Sequence, residues 1–120
     1  MEGSNLKAFV GAMDYACSRD FYIAIGFSVN WDQGQLAEME LNGCRFLLQD
    51  YYNQEWCNNT MLHMEVPDAR VWHARVTEVL DQRSYGAART REPTEESYGA
   101  LVTYVWDPSG VLWHMAERLS

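Results

Sequence analysis

Hydrophobic and polar positions alternate with a strand period, then a helix period, then a strand period again, and this succession occurs twice along the chain. Lys7–Met13 alternates. Ala8, Val10 and Ala12 share one face, and Lys7, Phe9, Gly11 and Met13 share the other, as in a strand. Asp14 offers a helix start, and Ala16–Ile25 carries Phe21, Tyr22 and Ile25 at helical spacing. Gly26 is a natural stop, because it tolerates the left-handed conformation. Phe27–Trp31 reads as a short strand followed by a turn at Asp32-Gln33-Gly34. Gln35–Gln49 then reads as a hairpin about Asn42-Gly43, the pair favoured where both turn residues need positive φ. That turn sets Leu41 opposite Cys44, Glu40 opposite Arg45, Met39 opposite Phe46 and Glu38 opposite Leu47. Ala37, Met39, Leu41, Phe46 and Leu48 form an apolar face. Glu38, Glu40, Arg45, Leu47 and Gln49 form a polar one.

After a loop rich in Asn and aromatics, Asp50–Thr60, the pattern restarts. Met61–Val66 predicts a strand. Asp68 caps a helix to about Arg83, with Trp72, Val76, Val79 and Leu80 as its stripe and Arg70, His73 and Glu78 toward water. Ala87–Arg91 predicts an edge strand and Glu92–Ser97 a polar loop. Tyr98–Trp106 predicts a strong strand, Asp107-Pro108-Ser109-Gly110 a turn, and Val111–Glu117 the last strand. The order strand, helix, three strands therefore repeats, with Asp14 answering to Asp68, Phe9 to His63 and Gly43 to Gly110. This makes an α+β fold of two βαβββ modules: module 1 at about residues 5–50, a loop over 51–60, and module 2 at about 61–118 of a single 1–120 domain. Neither half buries its sheet face alone, so the halves must associate within or between chains.

With 48% hydrophobic residues and five Trp, the chain can build a core without a disulfide or structural metal. Three cysteines, Cys17, Cys44 and Cys57, stand far apart with no CxxC, which suits free thiols in a reducing compartment. No stretch approaches a membrane span, and residues 1–5 lack the basic and apolar regions of a secretion signal, so a cytoplasmic location is expected. The net charge of −8 argues against nucleic acid and anionic membranes as partners and tolerates cationic ligands. No phosphate-binding glycine loop or nucleophile elbow occurs.

Ser18–Phe27, SRDFYIAIGF, resembles the first-helix signature of the vicinal-oxygen-chelate superfamily, the glyoxalase, bleomycin-resistance and dioxygenase proteins. Leu62–Asp68, LHMEVPD, resembles the start of its second module, and Tyr98–Glu117, YGALVTYVWDPSGVLWHMAE, its C-terminal hairpin. Chain length, acidity and the Asn58-Asn59-Thr60 entry into the second module are most similar to the short bleomycin-resistance-like members. The resemblance implies a curved mixed sheet around a central groove with helices outside, in a homodimer that binds a small molecule. It places the family's metal-ligand positions at Phe9, Leu47 (or, with a slipped register, Gln49), His63 and His114. Phe9 and Leu47 do not ligate metals, so the implied state has no metal or other cofactor, as in relatives that bind antibiotics without turnover.

His63 and His114 fall on the groove side of their strands, together with Leu101, Thr103, Val105 and Leu112. Val102, Tyr104, Trp106, Trp113 and Met115 are expected to face the helices. The two imidazoles either engage a ligand or are hydrogen-bonded sheet residues. Glu38, Glu40 and Glu65 share the groove side and would attract an ammonium or guanidinium group, or Glu40 simply pairs with Arg45. Trp31, Tyr51, Tyr52 and Trp56 are placed to stack on a planar, especially cationic, ligand or to pack at a dimer contact. The expected groove lining is thus Phe9, Glu38, Glu40, Leu47, Gln49, Trp56, His63, Glu65, Thr103 and His114. The principal expectation is non-catalytic sequestration of a cationic or aromatic ligand, of antibiotic-resistance type. The alternative is a metal-dependent lyase, isomerase or dioxygenase, in which His63, His114 and Glu40 (or Glu38) hold Fe, Zn, Ni or Mn.

Overall fold

Asn42 and Gly43 take φ angles of 50° and 85°, as a two-residue hairpin requires, and fix the register expected from the sequence. The computed structural model describes all 120 residues. In chain order it contains β1 (Phe9–Gly11), α1 (Tyr15–Ile25), β2 (Ser28–Asp32), β3 (Leu36–Leu41), β4 (Cys44–Gln49), α2 (Gln54–Asn59), β5 (Met61–Glu65), α3 (Ala69–Gln82), β6 (Arg89–Glu96), β7 (Ala100–Trp106) and β8 (Leu112–Arg118). Asp14 and Asp68 cap α1 and α3 by accepting from the amides of Cys17 and Val71. Gly26 ends α1 at φ 125°.

Each βαβββ unit makes its own four-stranded mixed sheet, in the orders β1-β4-β3-β2 and β5-β8-β7-β6. The repeat extends to register: β1 lies parallel to β4 with Phe9 beside Leu47, and β5 parallel to β8 with His63 beside His114. The fold is α+β with two βαβββ modules as expected, each module contributing one four-stranded mixed sheet. The helix-facing sides of both sheets share one core. Val10, Met39, Phe46 and Leu48 of the first meet Val105, Trp113 and Met115 of the second, with Phe21, Tyr22 and Val76 from the helices. Trp113 lies 5.4 Å from Phe46 and 5.7 Å from Phe27, ring to ring, so the two modules pack together within one chain.

Three elements differ from expectation. The loop over 51–60 contains α2, whose cap Asn53 accepts from the Trp56 amide at 2.9 Å. Strand β6 runs through the expected loop Glu92–Ser97. Pro93 is accommodated because β6 is an edge strand and its register shifts between Arg91 and Thr94. The third difference lies between β7 and β8. Trp106 pairs with Leu112, which leaves a five-residue connection, Asp107–Val111. The buried Asp107 carboxylate accepts from the amides of Ser109 and Val111, and the Asp107 amide donates to the Val111 carbonyl. Val111 is thereby drawn into the core instead of starting the strand. One residue of slip flips a whole strand. Leu101, Thr103 and Val105 therefore lie with the core-facing Trp113 and Met115, while Tyr104 and Trp106 lie with His114.

Candidate functional site

The face of the first sheet turned away from the core carries two expected carboxylates, and both are already neutralised. Glu38 is buried and bonded to the Lys7 ammonium and, at 2.7 Å, to the Asn30 amide. Glu40 accepts from Asn30 at 2.8 Å and from Arg45 at 2.8 Å, the cross-hairpin pair anticipated from the turn. Both carboxyls are held below the usual carboxylate range, Glu38 chiefly by Lys7 and Glu40 chiefly by Asn30.

At the β1 end of this face lies a cavity of about 640 Å³ lined by Phe9, Gln49, Tyr51, Asn53, Glu55, Trp56 and Asn59. The local sequence builds it. Helix α2 presents Trp56 over β1, and a glycine beneath it is obligatory: a methyl group on Gly11 would meet the indole at 2.5 Å and the Tyr51 carbonyl oxygen at 2.7 Å. The Tyr51 ring stands 5.8 Å from that of Trp56, tilted by 48°. Phe9 remains 44% exposed beside them, so three aromatic side chains converge with a carboxylate, Glu55, and three side-chain amides.

The second sheet's outer face is built differently. His63 and His114 stand side by side, ring centroids 6.5 Å apart. The Tyr104 ring meets that of His114 edge-on at 4.9 Å, and its hydroxyl donates to Glu96 at 2.6 Å. That bond, then burial, pushes the Tyr104 hydroxyl up to about 12. Nε2 of His114 is buried without a hydrogen-bond partner. Burial first, and then the neighbouring His63, lowers the His114 pKa, which favours the neutral imidazole. A smaller cavity of about 210 Å³ lies here, lined by His63, Glu65, Tyr98, Gly99, Ala100, Ala116 and Arg118. The cavities on the two faces are lined by separate residue sets.

No family model matches the sequence, and no curated protein matches it. Solved structures do match the architecture just described. A bleomycin-binding protein from Streptomyces verticillus, complexed with copper(II)-bleomycin, superposes with a TM-score of 0.78 over 100% of this chain and 99% of its own, at 18% identity. A bleomycin resistance determinant encoded on the transposon Tn5 gives 0.80 over 96% and 98%, at 13% identity. Lactoylglutathione lyase from Agrobacterium tumefaciens gives 0.70 over 97% and 95%, at 15% identity. The chain has the vicinal-oxygen-chelate fold.

Within this vicinal-oxygen-chelate frame the expected residues separate into groups. Phe9, Gln49 and Trp56 line the aromatic cavity. Leu47 lies beside Phe9 and opposite Glu38. His63 and Glu65 line the smaller cavity beside His114, and Glu65 accepts from Arg118 at 3.3 Å. Thr103 is a correction: it is fully buried on the core side, its hydroxyl donating to the Arg91 carbonyl at 2.7 Å. Tyr104 and Trp106, expected in the core, take its place on the outer face. His73, expected in water, is half-buried with Nδ1 3.2 Å from the Thr90 hydroxyl. The set His63, His114 and Glu40 is not assembled either. Glu40 sits on the other sheet, and no group of three or more His, Cys, Asp or Glu side chains in the chain is placed to hold a metal. The sequence did carry a signal for the helix that positions Trp56: Asn53 as cap with the acidic Glu55 in the first turn is a helix-start pattern.

The histidine pair gives a direct test. Replacing His63 with Ala is expected to raise the His114 pKa, since it removes the neighbouring ring that, after burial, holds that pKa down, and it admits water. The His114 Cε1–H shift, followed by NMR across pH 4.5–8, reads this. An unmoved or lowered midpoint would mean that the two rings do not interact.

Proposed function

We propose that this chain is a non-catalytic binding protein that sequesters a small aromatic molecule, cationic or uncharged, in the manner of antibiotic-resistance binding proteins. One observation carries the reading: the aromatic cavity of Phe9, Tyr51 and Trp56, with Glu55 and three amides at its wall. Open apolar clefts with a few placed polar groups are the usual form of small-molecule sites. Two indole or phenol faces near a carboxylate favour a planar cation, since ring quadrupole and charge act in the same direction. Neighbours of the same fold that carry bleomycin support the class of ligand.

The same reading includes a homodimer and no resident metal. Met61, on the edge strand of the second sheet, is 64% exposed, and a second copy would cover it. Free thiols at Cys17, Cys44 and Cys57 suit a reducing, cytoplasmic setting. No helix is long and apolar enough to cross a membrane.

The test is calorimetric titration with metal-free bleomycin and with 2-naphthylmethylammonium, on the parent chain and on Trp56→Ala. Saturable binding weakened at least about tenfold by the substitution is expected, since a stacked aromatic face is worth roughly 1–3 kcal/mol. Binding indifferent to Trp56 would remove the cavity from the proposal. A saturable thermal shift with Ni(II) or Zn(II) that vanishes in His114→Ala would instead favour a metal-dependent reaction.

A further inference from the structure

The chain has 17 acidic and nine basic residues, so an uncompensated basic group is the exception. Lys7, Arg19, Arg45, Arg83 and Arg118 each meet a carboxylate. Arg75 is spent on the Ala24 carbonyl of the neighbouring helix, and Arg70 is exposed in the first turn of α3 with no carboxylate or ring beside it. Arg89 and Arg91 are different. They stand two apart on edge strand β6, directly opposite Trp106 and Tyr104, and no carboxylate oxygen lies within 4.0 Å of either guanidinium. Both lie over aromatic rings instead. The Arg89 guanidinium carbon is 3.7 Å from the Trp106 ring centroid, and that of Arg91 is 5.0 Å from Tyr104 and 5.5 Å from Trp106. Of the three carboxylates on this strand, Glu96 is committed to the Tyr104 hydroxyl at 2.6 Å and the Thr94 hydroxyl at 3.1 Å, while Glu92 shares with Asp81, Arg89 and Arg91 the wall of a cavity of about 690 Å³ without pairing with either arginine.

Stacking fixes the plane of a guanidinium while leaving its N–H edge free, so less rotamer entropy remains to be lost when that edge binds a ligand. Beside the Arg89–Trp106 stack is a cavity of about 320 Å³, lined by Asn58, Ala87, Arg89, Trp106 and Gly110. It therefore combines an aromatic wall, a held guanidinium and a side-chain amide, on the outer face of the second sheet and apart from the aromatic cavity of the first.

We propose that Arg89, supported by Arg91, Trp106 and Asn58, forms a second subsite that takes a planar aromatic anion, a carboxylate or sulfonate. The anion accepts two parallel N–H bonds from the Arg89 edge, the geometry for which a guanidinium is suited and an ammonium is not. Its ring lies against Trp106. The two sheets thus differ in charge preference: the first has neutralised Glu38 and Glu40, with Glu55 beside its cavity for a cation, and the second keeps Arg89 and Arg91 free of carboxylate partners. The subsite does not depend on the first cavity binding anything.

The experiment compares 2-naphthoate, 2-naphthamide and 2-naphthylmethylammonium by calorimetric titration, on the parent chain and on Arg89→Gln, Arg89→Lys, Arg91→Gln and Trp56→Ala. Naphthoate is expected to bind at least tenfold more tightly than the amide. Arg89→Gln is expected to erase that preference, Arg91→Gln to reduce it, and Arg89→Lys to restore only part of it. In Trp56→Ala the preference for naphthoate over the amide persists even if the naphthylmethylammonium signal is lost, which separates this proposal from the preceding one. Equal affinity for acid and amide overturns the subsite, and so does a preference that survives Arg89→Gln. Sedimentation of the same variants closes the remaining route: a fall in self-association with an unchanged naphthoate preference assigns the arginines to contact between copies and overturns the proposal. Arg89→Lys keeps the charge and the stem over the indole, so it reads the edge geometry even if Arg89→Gln weakens the strand.

Discussion

Asp107→Ala is expected to lower the unfolding free energy by about 3 kcal/mol, and Asp107→Asn to flatten the dependence of stability on pH. Asp107 is fully buried and accepts from the Tyr22 hydroxyl at 2.6 Å, the Ser109 amide at 2.8 Å and the Val111 amide at 2.9 Å. Truncation leaves three buried donors unsatisfied, each costing roughly 1–3 kcal/mol, of which water entering the gap recovers part. Burial outweighs these bonds in setting the protonation state and raises the carboxyl from 3.8 to about 6. The folded state therefore holds this proton at pH values where the unfolded chain has released it. The corresponding stability is fully present below about pH 4 and is lost as the pH rises through about 6. The amplitude is about 3 kcal/mol, at about 1.4 kcal/mol per unit.

Other groups titrate with the opposite sign. Glu38, Glu40, Asp32 and Glu96 are shifted down, so their contributions are lost as the pH falls below the usual carboxylate range. His114 is shifted down as well, and its contribution grows as the pH rises through the usual histidine range. The informative quantity is therefore the difference between parent and Asp107→Asn in urea unfolding, followed by Trp fluorescence from pH 4.5 to 7.5. The parent should lose ground steadily to the variant. Parallel curves would mean that Asp107 has no raised pKa in the fold.

The same carboxylate explains where the sequence could not be read through. The residues Asp107-Pro108-Ser109-Gly110 announce a turn, and Gly110, at φ 92°, confirms it. Local turn chemistry does not say whether the hairpin closes over four residues or five. That was decided by Tyr22, 85 residues away in sequence, which holds the far oxygen of Asp107, and by the space that accepts Val111. Since one position of slip reverses both faces of β7, Thr103 was legible as a strand residue but not as a buried one. Tyr104 and Trp106 were legible as aromatic strand residues but not as surface partners of Arg89 and Arg91.

Where a single local device sets the register, the reading was sharp. Asn42-Gly43 determined every pair of the first hairpin, including Glu40 with Arg45. The shared outward face of His63 and His114 was legible from strand parity, and the parallel β5–β8 register sets the two side by side. The charge balance of the first sheet was not legible. It depends on Lys7 reaching Glu38 across 31 residues and on Asn30, next to a bulge in β2, bridging two carboxylates. The aromatic cavity was half legible. Phe9, Gln49 and Trp56 were marked by strand position and by loop aromatics, while the six-residue helix that brings Trp56 over Gly11 was too short to show a hydrophobic period.

Trp113→Ala is expected to be the most damaging core truncation, costing about 4 kcal/mol and lowering Tm by roughly 15 °C. Trp113 belongs to β8 of the second sheet, yet its indole packs edge-on against Tyr22, Phe27 and Phe46 of the first module, at 5.9, 5.7 and 5.4 Å. Its Nε1 donates to the Tyr22 hydroxyl at 3.0 Å, the hydroxyl that in turn donates to Asp107. Truncation therefore removes a large aromatic contact, opens a cavity between the modules and slackens the hydrogen bond that holds the β7–β8 connection. Apart from the main core there is only the small cluster of Ala100, Val102 and Ala116, so the loss should appear in one cooperative transition shared by both modules, with the urea m-value unchanged. Two resolved transitions, or a loss below about 1.5 kcal/mol, would show that the modules fold independently. The outer face reports the same event. His114 is the next residue on β8, so a relaxed strand should release its buried Nε2 to water and raise its pKa, a second readout of whether the core between the modules sets the geometry of the histidine pair.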